Sequence, residues 1–282
     1  MERKKVMIGD FAAKKREGRK ITMLTAYDYP MARIIDDAGI DVILVGDSLG
    51  MVVLGYDTTV PVTMDEMIHH AKAVRRGTKS AFLVGDMPFM SYQVSREESI
   101  RNAARFMKEA GCDAVKLEGG DGIVDIARAI VDAGIPVLGH LGLTPQTVSK
   151  LGGYKVQGKD RDSAREILDQ AIRLEGAGCF AVVLECVPDK VAGIITGKLK
   201  IPTISCGAGP DCDGQVLVTY DMLGLFDRFV PKFVKQYLNI SALAKDAVEK
   251  YRQDVESGKF PAPEHTFTIK SEELQKLNKI SG

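Results

Sequence analysis

Short apolar runs and amphipathic segments alternate along almost the whole chain. The apolar runs are rich in Val, Ile and Leu and nearly continuous in hydrophobicity, which is typical of parallel strands covered on both faces. Between most of them, apolar positions repeat with a helical period, as Ile100, Ala103 and Met107 do in segment 95–110. The runs predict eight strands, at residues 21–25, 41–46, 80–85, 114–118, 135–139, 180–185, 202–206 and 215–219.

Capping signals mark where the predicted helices begin and end. A Ser or Thr followed three residues later by Glu, the arrangement of a capping box, occurs at Thr63, Ser95 and Ser163. Glycine is the usual residue just after a helix. It stands at the expected helix ends, at Gly39, Gly77, Gly111, Gly134 and Gly176 or Gly178.

This alternation predicts an α/β fold, a TIM (β/α)8 barrel, because eight β/α units over roughly 220 residues match its size. An open doubly wound sheet is the alternative, but no G-x-G-x-x-G follows the first strand. We expect one domain over 1–282, with its barrel core at about 20–228 and a C-terminal helical extension at 229–282. Within the extension, the pattern predicts helices at 241–257 and 270–279 and an arm at 259–268.

Composition argues against several classes of partner and location. Lysine plus arginine equals aspartate plus glutamate, 38 each, so the chain has no net positive charge that would attract nucleic acid or an anionic membrane. No apolar run approaches the length of a membrane span, and the charged start leads into no apolar core of a signal peptide. The five cysteines are scattered and odd in number, which predicts free thiols in a reducing compartment, the cytoplasm.

Four of the apolar runs carry an acidic residue at their last position or directly after it: Asp47, Asp86, Glu118 and Glu185. A carboxylate beside apolar strands is costly unless something positive binds there. At the carboxyl ends of successive strands such residues surround one pocket, which is where the active site of a parallel α/β barrel lies. The pattern therefore predicts a metal-dependent barrel enzyme.

Three of these acids, Asp47, Asp86 and Glu118, offer only oxygen ligands, with no Cys or His among them. Oxygen ligands select a hard cation such as Mg²⁺ over zinc. The alternative for each acid taken alone is that it caps the following helix or pairs with a nearby Lys. Three acids in register at successive strand ends favour the Mg²⁺ site.

Lys116 shares one face of strand 114–118 with Glu118, because side chains alternate along a strand. A lysine inside a barrel is costly without an anionic partner. It can act as a Schiff-base nucleophile or as a clamp for a substrate carboxylate. The alternative is an ion pair with Asp86 or Glu118, which is compatible with the clamp, and the neighbouring metal site favours the clamp.

Two further strand ends carry candidates for proton transfer. Glu185 is expected opposite the metal-bearing strands, where burial would keep an unliganded carboxylate basic enough to be the general base; otherwise it is a salt-bridged core residue. His140 ends strand 135–139 and can act as a general acid or base, ligate the metal, or shape the pocket from behind the ligands, which we favour slightly. After strand seven, Gly207-Ala-Gly-Pro210 either holds a phosphate or forms a tight turn near the substrate.

With these residues in place, the chain resembles the ketopantoate hydroxymethyltransferases through nearly its entire length. The matching motifs are Thr25-Ala-Tyr-Asp28, Val45-Gly-Asp-Ser-Leu-Gly50, Gly85-Asp-Met-Pro-Phe89, Val115-Lys-Leu-Glu-Gly119, Gly139-His-Leu-Gly-Leu-Thr-Pro145, Gly153-Tyr-Lys-Val-Gln-Gly158, Leu184-Glu-Cys-Val-Pro188, Gly207-Ala-Gly209, Cys212-Asp-Gly-Gln-Val-Leu-Val218 and Pro261-Ala-Pro-Glu-His265. One departure is Ser205-Cys206, where the family leads us to expect Gly and an aliphatic residue. This departure affects only the expected packing of the local loop.

The resemblance implies a TIM barrel that assembles as a homodecamer. It implies that Asp47, Asp86 and Glu118 bind Mg²⁺ and that Glu185 is the proton acceptor. The residues implied to contact the 2-oxo acid substrate are Asp47, Ser48, Asp86 and Lys116. The implied reaction moves a hydroxymethyl group from the folate 5,10-methylenetetrahydrofolate to 3-methyl-2-oxobutanoate and yields 2-dehydropantoate.

Two other functions are compatible with the barrel and its acids. A lyase of the isocitrate lyase or phosphoenolpyruvate mutase type would use the same barrel and the same kind of metal site. Such enzymes usually need a loop with a catalytic cysteine, which the sequence lacks. A noncatalytic 2-oxo acid binding protein is the second alternative. The presence of Glu185 together with the three metal candidates argues against it.

Overall fold

Eight parallel strands close into a barrel in the computed structural model, which describes residues 3–226 and 228–280. Each strand pairs with the next in sequence, and the eighth pairs with the first. The closed ring confirms the predicted TIM barrel and excludes the open doubly wound sheet. The strands are β1 (Ile21–Thr25), β2 (Val42–Val45), β3 (Phe82–Asp86), β4 (Ala114–Glu118), β5 (Val137–Gly142), β6 (Ala181–Glu185), β7 (Thr203–Cys206) and β8 (Gly214–Leu217).

Helices lie between most of the strands and cover the outside of the barrel. Those of the described residues are α1 (Ile8–Arg16), α2 (Tyr29–Asp37), α3 (Leu49–Val52), α4 (Met64–Gly77), α5 (Arg96–Lys108), α6 (Asp121–Asp132), α7 (Val148–Leu151), α8 (Arg161–Gly176), α9 (Asp189–Lys198), α10 (Thr219–Met222), α11 (Ile240–Glu256) and α12 (Ser271–Ile280). Around the barrel, α2 packs on α4, α4 on α5, α5 on α6, α6 on α8 and α8 on α9. Short 3₁₀ turns lie at Pro145–Thr147 and Pro263–His265.

The interior of the barrel changes from apolar to polar along the strands. At the amino-terminal end the inward side chains are apolar and buried, as in Val42, Phe82 and Ala181. Because side chains alternate, the inward positions at the carboxyl ends follow directly from these. They are polar in most strands: Thr25, Asp86, Lys116, Glu118, His140, Glu185 and Cys206. The fold therefore gathers the predicted chemistry at one end of one barrel.

The bounds of β5 differ from the prediction of 135–139. The backbone N–H of Ile135 bonds to Ile130 O at the end of α6, and Pro136 has no N–H to donate to a ladder. The strand therefore begins at Val137 and continues through Gly142, where it still pairs with β6. His140 consequently lies inside the strand and not at its end, which corrects the expectation.

The apolar pattern gave no indication of α1, which closes the amino-terminal end of the barrel. Only Phe11 of this helix is buried, so its apolar period is too weak to detect. The Phe11 ring packs 5.0 Å from that of Phe82 and 5.3 Å from that of Phe180, measured between centroids. Lys15 of the same helix pairs with Asp213 at 2.8 Å. This end is sealed, and access to the interior lies at the opposite end.

Two of the three predicted helix starts agree with the structure. Thr63 and Glu66 form a reciprocal capping box, and the Ser95 hydroxyl accepts a backbone N–H at the start of α5. The prediction that Ser163 caps α8 is wrong, since α8 begins earlier, with Asp160 as its cap. Asp160 Oδ1 accepts from the backbone N–H of Ser163 at 2.9 Å, and an ionised carboxylate is a strong cap.

All five cysteines are free thiols, as predicted. Burial raises the pKa of both Cys112 and Cys179 to about 12. Such thiols stay protonated and act as packing residues. Cys186 and Cys206 are only half buried and lie at the carboxyl end of the barrel.

The last two helices agree with the predicted segments 241–257 and 270–279 to within a residue at each end, and residues 257–270 form the arm between them. No residue of α11 or α12 is buried. Among the described residues, no helix is both long and apolar enough to cross a membrane. The predicted domain of 1–282 also includes residues 1, 2, 227, 281 and 282, which lie outside the described part of the chain.

Candidate active site

Three carboxylates meet at the carboxyl ends of the neighbouring strands β2, β3 and β4. Asp86 and Glu118 are the last residues of β3 and β4, and Asp47 follows β2 in the next turn. All three are buried, and an oxygen of each lies within 4.8 Å of the others. The predicted three-acid cluster therefore forms. Its donors are all oxygens, and it can hold a divalent cation.

Each carboxylate of the cluster is held through one of its oxygens. Gln146 Nε2 donates to Asp47 Oδ2 at 2.9 Å, and the backbone N–H of Gln146 donates to Glu118 Oε2 at 3.2 Å. The backbone N–H of Asp47 donates to Asp86 Oδ2 at 3.2 Å. Asp86 Oδ1 is buried and has no hydrogen-bond partner among the described residues. Of the remaining oxygens, Asp86 Oδ1 and Glu118 Oε1 face the ammonium of Lys116.

Lys116 lies beside the cluster and pairs with two of its acids. Its Nζ is 2.7 Å from Asp86 Oδ1, although not aligned for a hydrogen bond, and 3.3 Å from Glu118 Oε1. Burial acts to lower the pKa of Lys116, but the carboxylates of Asp86, Glu118 and Asp47 outweigh it and raise this pKa. The side chain is therefore an ammonium. The ion pairs expected as an alternative role are present, and they leave the clamp possible.

The three carboxylates of the cluster repel one another. Burial, followed by the charges of Asp86 and Glu118, raises the pKa of Asp47 well above its usual value. Burial also raises the pKa of Asp86, and Lys116 only partly offsets this. Burial disfavours ionisation of Glu118 as well, but Lys116 and His140 outweigh it and lower the pKa of Glu118 to about 2. A divalent cation would relieve the repulsion among the three acids.

His140 connects this cluster to Glu185. Its Nδ1 lies 3.2 Å from Glu118 Oε1, and its Nε2 lies 3.2 Å from Glu185 Oε2, an ion-pair distance without the alignment of a hydrogen bond. Burial and Lys116 act to lower the pKa of His140, but the two glutamates raise it to about 9. The imidazole stands behind Glu118 and outside the three-acid group. This position is compatible with the pocket-shaping role that we favoured.

Glu185 ends β6, which only β5 separates from the strand of Glu118. The expectation that it lies opposite the metal-bearing strands holds for β2, which is four strands away in the ring, but not for β4, so Glu185 lies within reach of His140. Its side chain remains 18% exposed. It thus lies at the open rim and is only partly buried, whereas we expected burial to keep it basic.

The departure at Ser205-Cys206 lies next to Glu185. Cys206 pairs with Glu185 in the β6–β7 register, and both side chains face inward. Burial, followed by the charge of Glu185, raises the pKa of Cys206 well above its usual value, so this thiol stays protonated. Ser205 faces outward, where its Oγ accepts the backbone N–H of Ala208 at 2.9 Å and supports the following turn.

Ser48 lies at the rim directly after Asp47. Its Oγ is 2.9 Å from the hydroxyl of Tyr27, which is fully buried. Burial raises the pKa of Tyr27, so the phenol keeps its proton. Tyr27 therefore holds the Ser48 hydroxyl in one place, from which Ser48 can make a further hydrogen bond.

Two glycine turns shape the rim around Glu185. Gly142 has a φ of +95°, and a Cβ there would lie 2.2 Å from the carbonyl oxygen of Glu185. Only glycine lets β5 and β6 approach this closely. Gly207 and Gly209 have φ values of +70° and +90° and form a tight turn after β7, which is one of the two possibilities that the sequence left open.

Sequence reasoning missed two residues of the site, Gln146 and Tyr92. Both are buried. The Tyr92 hydroxyl donates to Gln146 Oε1 at 2.7 Å and accepts from the backbone N–H of Glu118 at 3.1 Å. The only signal for Gln146 was its place directly after the Gly139–Pro145 motif. Nothing in the sequence marked Tyr92.

Comparison with known proteins decides the family. A family model described as ketopantoate hydroxymethyltransferase matches residues 5–263. The chain belongs to the ketopantoate hydroxymethyltransferase family. It is 56% identical over 273 residues to the 3-methyl-2-oxobutanoate hydroxymethyltransferase of Syntrophomonas wolfei, covering 97% of this chain and 99% of that one. It is 59% identical over 266 residues to the enzyme of the same name from Moorella thermoacetica, covering 94% and 99%. The predictions of this family and of a transferase enzyme are confirmed.

Solved structures share the fold of this family member at low sequence identity. A phosphonopyruvate hydrolase in complex with oxalate and Mg²⁺ has a TM-score of 0.60 at 14% identity, covering 97% of this chain and 96% of that one. A 2,3-dimethylmalate lyase of the phosphoenolpyruvate mutase and isocitrate lyase superfamily has a TM-score of 0.55 at 15% identity, covering 98% and 99%. These similarities concern the barrel alone.

Proposed function

We propose that this chain transfers a hydroxymethyl group from 5,10-methylenetetrahydrofolate to 3-methyl-2-oxobutanoate, giving 2-dehydropantoate in pantothenate biosynthesis. The names of relatives that are 56% and 59% identical support this acceptor. The observation that carries the proposal is the three-acid cluster with Lys116 beside it and Glu185 joined to it through His140. It combines a cation site, a counter-charge for a carboxylate and a base.

Asp47, Asp86 and Glu118 would hold the cofactor, Mg²⁺. Their donor set fits a hard cation, since all donors are oxygens. When bound, the ion would supply positive charge where the keto oxygen of the substrate gains negative charge. The mutual repulsion of the three buried acids supports a cation at this position.

The substrate would lie between this cluster and Glu185. Lys116 would pair with its carboxylate, and Ser48, held by Tyr27, would donate a hydrogen bond to it. Asp47 and Asp86 would contact the 2-oxo acid from the same side. These contacts would fix the plane of the substrate and turn its C3 toward Glu185.

Glu185 would remove the C3 proton as the general base. In that step the C3–H bond breaks, the proton goes to the carboxylate, and the electron pair moves toward the keto oxygen. One water molecule would release the one-carbon unit of the folate as formaldehyde, breaking both C–N bonds and leaving tetrahydrofolate. The carbon nucleophile would then add to formaldehyde, forming the new C–C bond, and the resulting alkoxide would take up the proton held by Glu185. His140 Nε2, 3.2 Å from Glu185 Oε2, would hold the carboxylate in place.

We further propose a homodecamer in the cytoplasm. The helix α11 supports an assembly, because Leu243, Val248, Tyr251 and Val255 are each at least 45% exposed and give it an uncovered apolar surface. A second copy of the chain would cover such a surface, and the mass of the protein in solution tests this.

The proposed reaction predicts a product that requires both substrates. The purified protein with Mg²⁺, 3-methyl-2-oxobutanoate and 5,10-methylenetetrahydrofolate should form 2-dehydropantoate, detected by mass spectrometry. Omitting the folate should stop product formation but leave C3 proton exchange, measured in D₂O by NMR. A lyase would instead cleave a larger 2-oxo or 2-hydroxy acid without folate, and a binding protein would do neither. Either result would overturn the proposal.

Lys116 is expected to act through its charge and to form no imine. An imine needs a neutral amine, whereas Nζ pairs with Asp86 and Glu118 as an ammonium. Borohydride added during turnover should therefore leave the mass of the protein unchanged. Lys116→Met should weaken binding of the 2-oxo acid by roughly tenfold or more, the usual cost of an unpaired buried carboxylate. A borohydride-trapped adduct on Lys116 would show that this role is wrong.

A further inference from the structure

Gln146 contacts residues at or just beyond the ends of all three strands that precede or carry the metal candidates, although it belongs to none of these strands. It lies in the 3₁₀ turn Pro145–Thr147 after β5 and is 3% exposed. Its Nε2 donates to Asp47 Oδ2 beyond β2 and to Met87 O beyond β3, both at 2.9 Å. Its backbone N–H donates to Glu118 Oε2 on β4 at 3.2 Å. One residue thus fixes two of the three carboxylates.

The orientation of the Gln146 amide follows from its partners. The carbonyl of Met87 can only accept, so the NH₂ group must face it and Asp47. The amide oxygen then faces the Tyr92 hydroxyl, which lies 2.7 Å away. Tyr92 is fully buried and also accepts the backbone N–H of Glu118. Every polar group of the amide is therefore engaged, and the side chain has one defined position.

We propose that Gln146 is a positioning residue that sets the oxygens of Asp47 and Glu118 which face the cation, with Tyr92 locking its amide. The inference rests on the proposed metal site. Gln146 holds Oδ2 of Asp47 and Oε2 of Glu118 and so fixes how each carboxylate is turned; the other oxygen of Glu118, Oε1, lies 3.3 Å from Lys116 Nζ. Residues that orient metal ligands in this way typically change metal affinity by about 10–100-fold when replaced.

The test is direct measurement of metal binding, with Mn²⁺ as an EPR-visible probe, on the full-length protein. Gln146→Leu keeps the volume of the side chain but loses both Nε2 bonds, and the affinity for Mn²⁺ should fall by at least about tenfold. Tyr92→Phe removes only the hydroxyl that orients the amide and should give a smaller loss in the same direction. Gln215→Leu is the matched control, since Gln215 lies on β8 and its exposed amide bonds to Gly209 O.

A purely structural role of Gln146 predicts a different pattern. The thermal midpoint would then fall while the folded Gln146→Leu protein bound Mn²⁺ like the wild type, and this result would overturn the inference. Adding excess Mg²⁺ should restore much of the lost turnover in Gln146→Leu if only metal affinity is affected. Because metal binding is read without the reaction, a wild type that binds Mn²⁺ normally but forms no product would overturn the proposed function alone.

Discussion

Removing divalent metal ions should abolish turnover, and returning Mg²⁺ should restore it. Asp47, Asp86 and Glu118 are buried and repel one another, and the cationic groups that the described residues pair with them are Lys116 and, at Glu118, His140. Without a cation, nothing in the cluster offers enough positive charge to stabilise the enolate. We expect at least about a 100-fold loss of rate after chelation, in the range found when a main electrostatic group is removed. Rates should be measured alongside elemental analysis of the protein.

Asp86→Asn should give the same loss without any chelator, because an amide keeps the shape of the side chain but not its charge. The control is Asp213→Asn, which alters a half-buried aspartate at the sealed end of the barrel, where it pairs with Lys15. That variant can lose stability but should respond to Mg²⁺ like the wild type. Full turnover by protein shown to be metal-free would overturn the metal site and the role of all three acids.

Much of the fold could be predicted from the sequence because the strands of a parallel barrel are buried on both faces. Their continuous apolar runs stand out, and all eight predicted strands exist. The predictions failed where tertiary contacts determine where an element begins or whether it forms. The backbone N–H of Ile135 bonds to the end of α6, so β5 begins later in the sequence than predicted. Phe11 is the one buried residue of α1, so this helix has no apolar periodicity that the sequence could show.

The part of the site that could be predicted is the part that depends on the alternation of side chains along a strand and on the position of residues at strand ends. The inward direction of Lys116 and Glu118 follows from their spacing, and the meeting of three acids follows from their place at successive strand ends. Distances across the barrel do not follow, so the contact of His140 with Glu185 was not foreseen. Gln146 reaches the cluster from a loop, and a neutral amide gives no charge pattern by which sequence analysis could find it.

Replacing Glu185 with Gln should slow C3 proton exchange by roughly 100-fold or more while leaving 2-oxo acid binding largely intact. The change keeps the shape of the side chain and removes its basicity, and general bases contribute about 10²–10⁴-fold. Glu185 lies outside the three-acid cluster, so its replacement should not alter metal content. Exchange can be followed by NMR in D₂O without the folate, which separates proton removal from group transfer.

Two neighbouring variants decide whether the loss belongs to the Glu185 carboxylate itself. Glu185→Asp keeps the base but shortens it, so exchange should recover in part, whereas a residue that only fills space would gain nothing from the charge. Cys206→Ala changes the adjacent inward side chain on β7 and should leave exchange close to the wild-type rate. If Glu185→Gln exchanges normally with unchanged metal content, the base is elsewhere, and His140, 3.2 Å from Glu185 Oε2, becomes the first candidate. If binding and exchange disappear together, Glu185 supports the shape of the pocket and does not carry the proton.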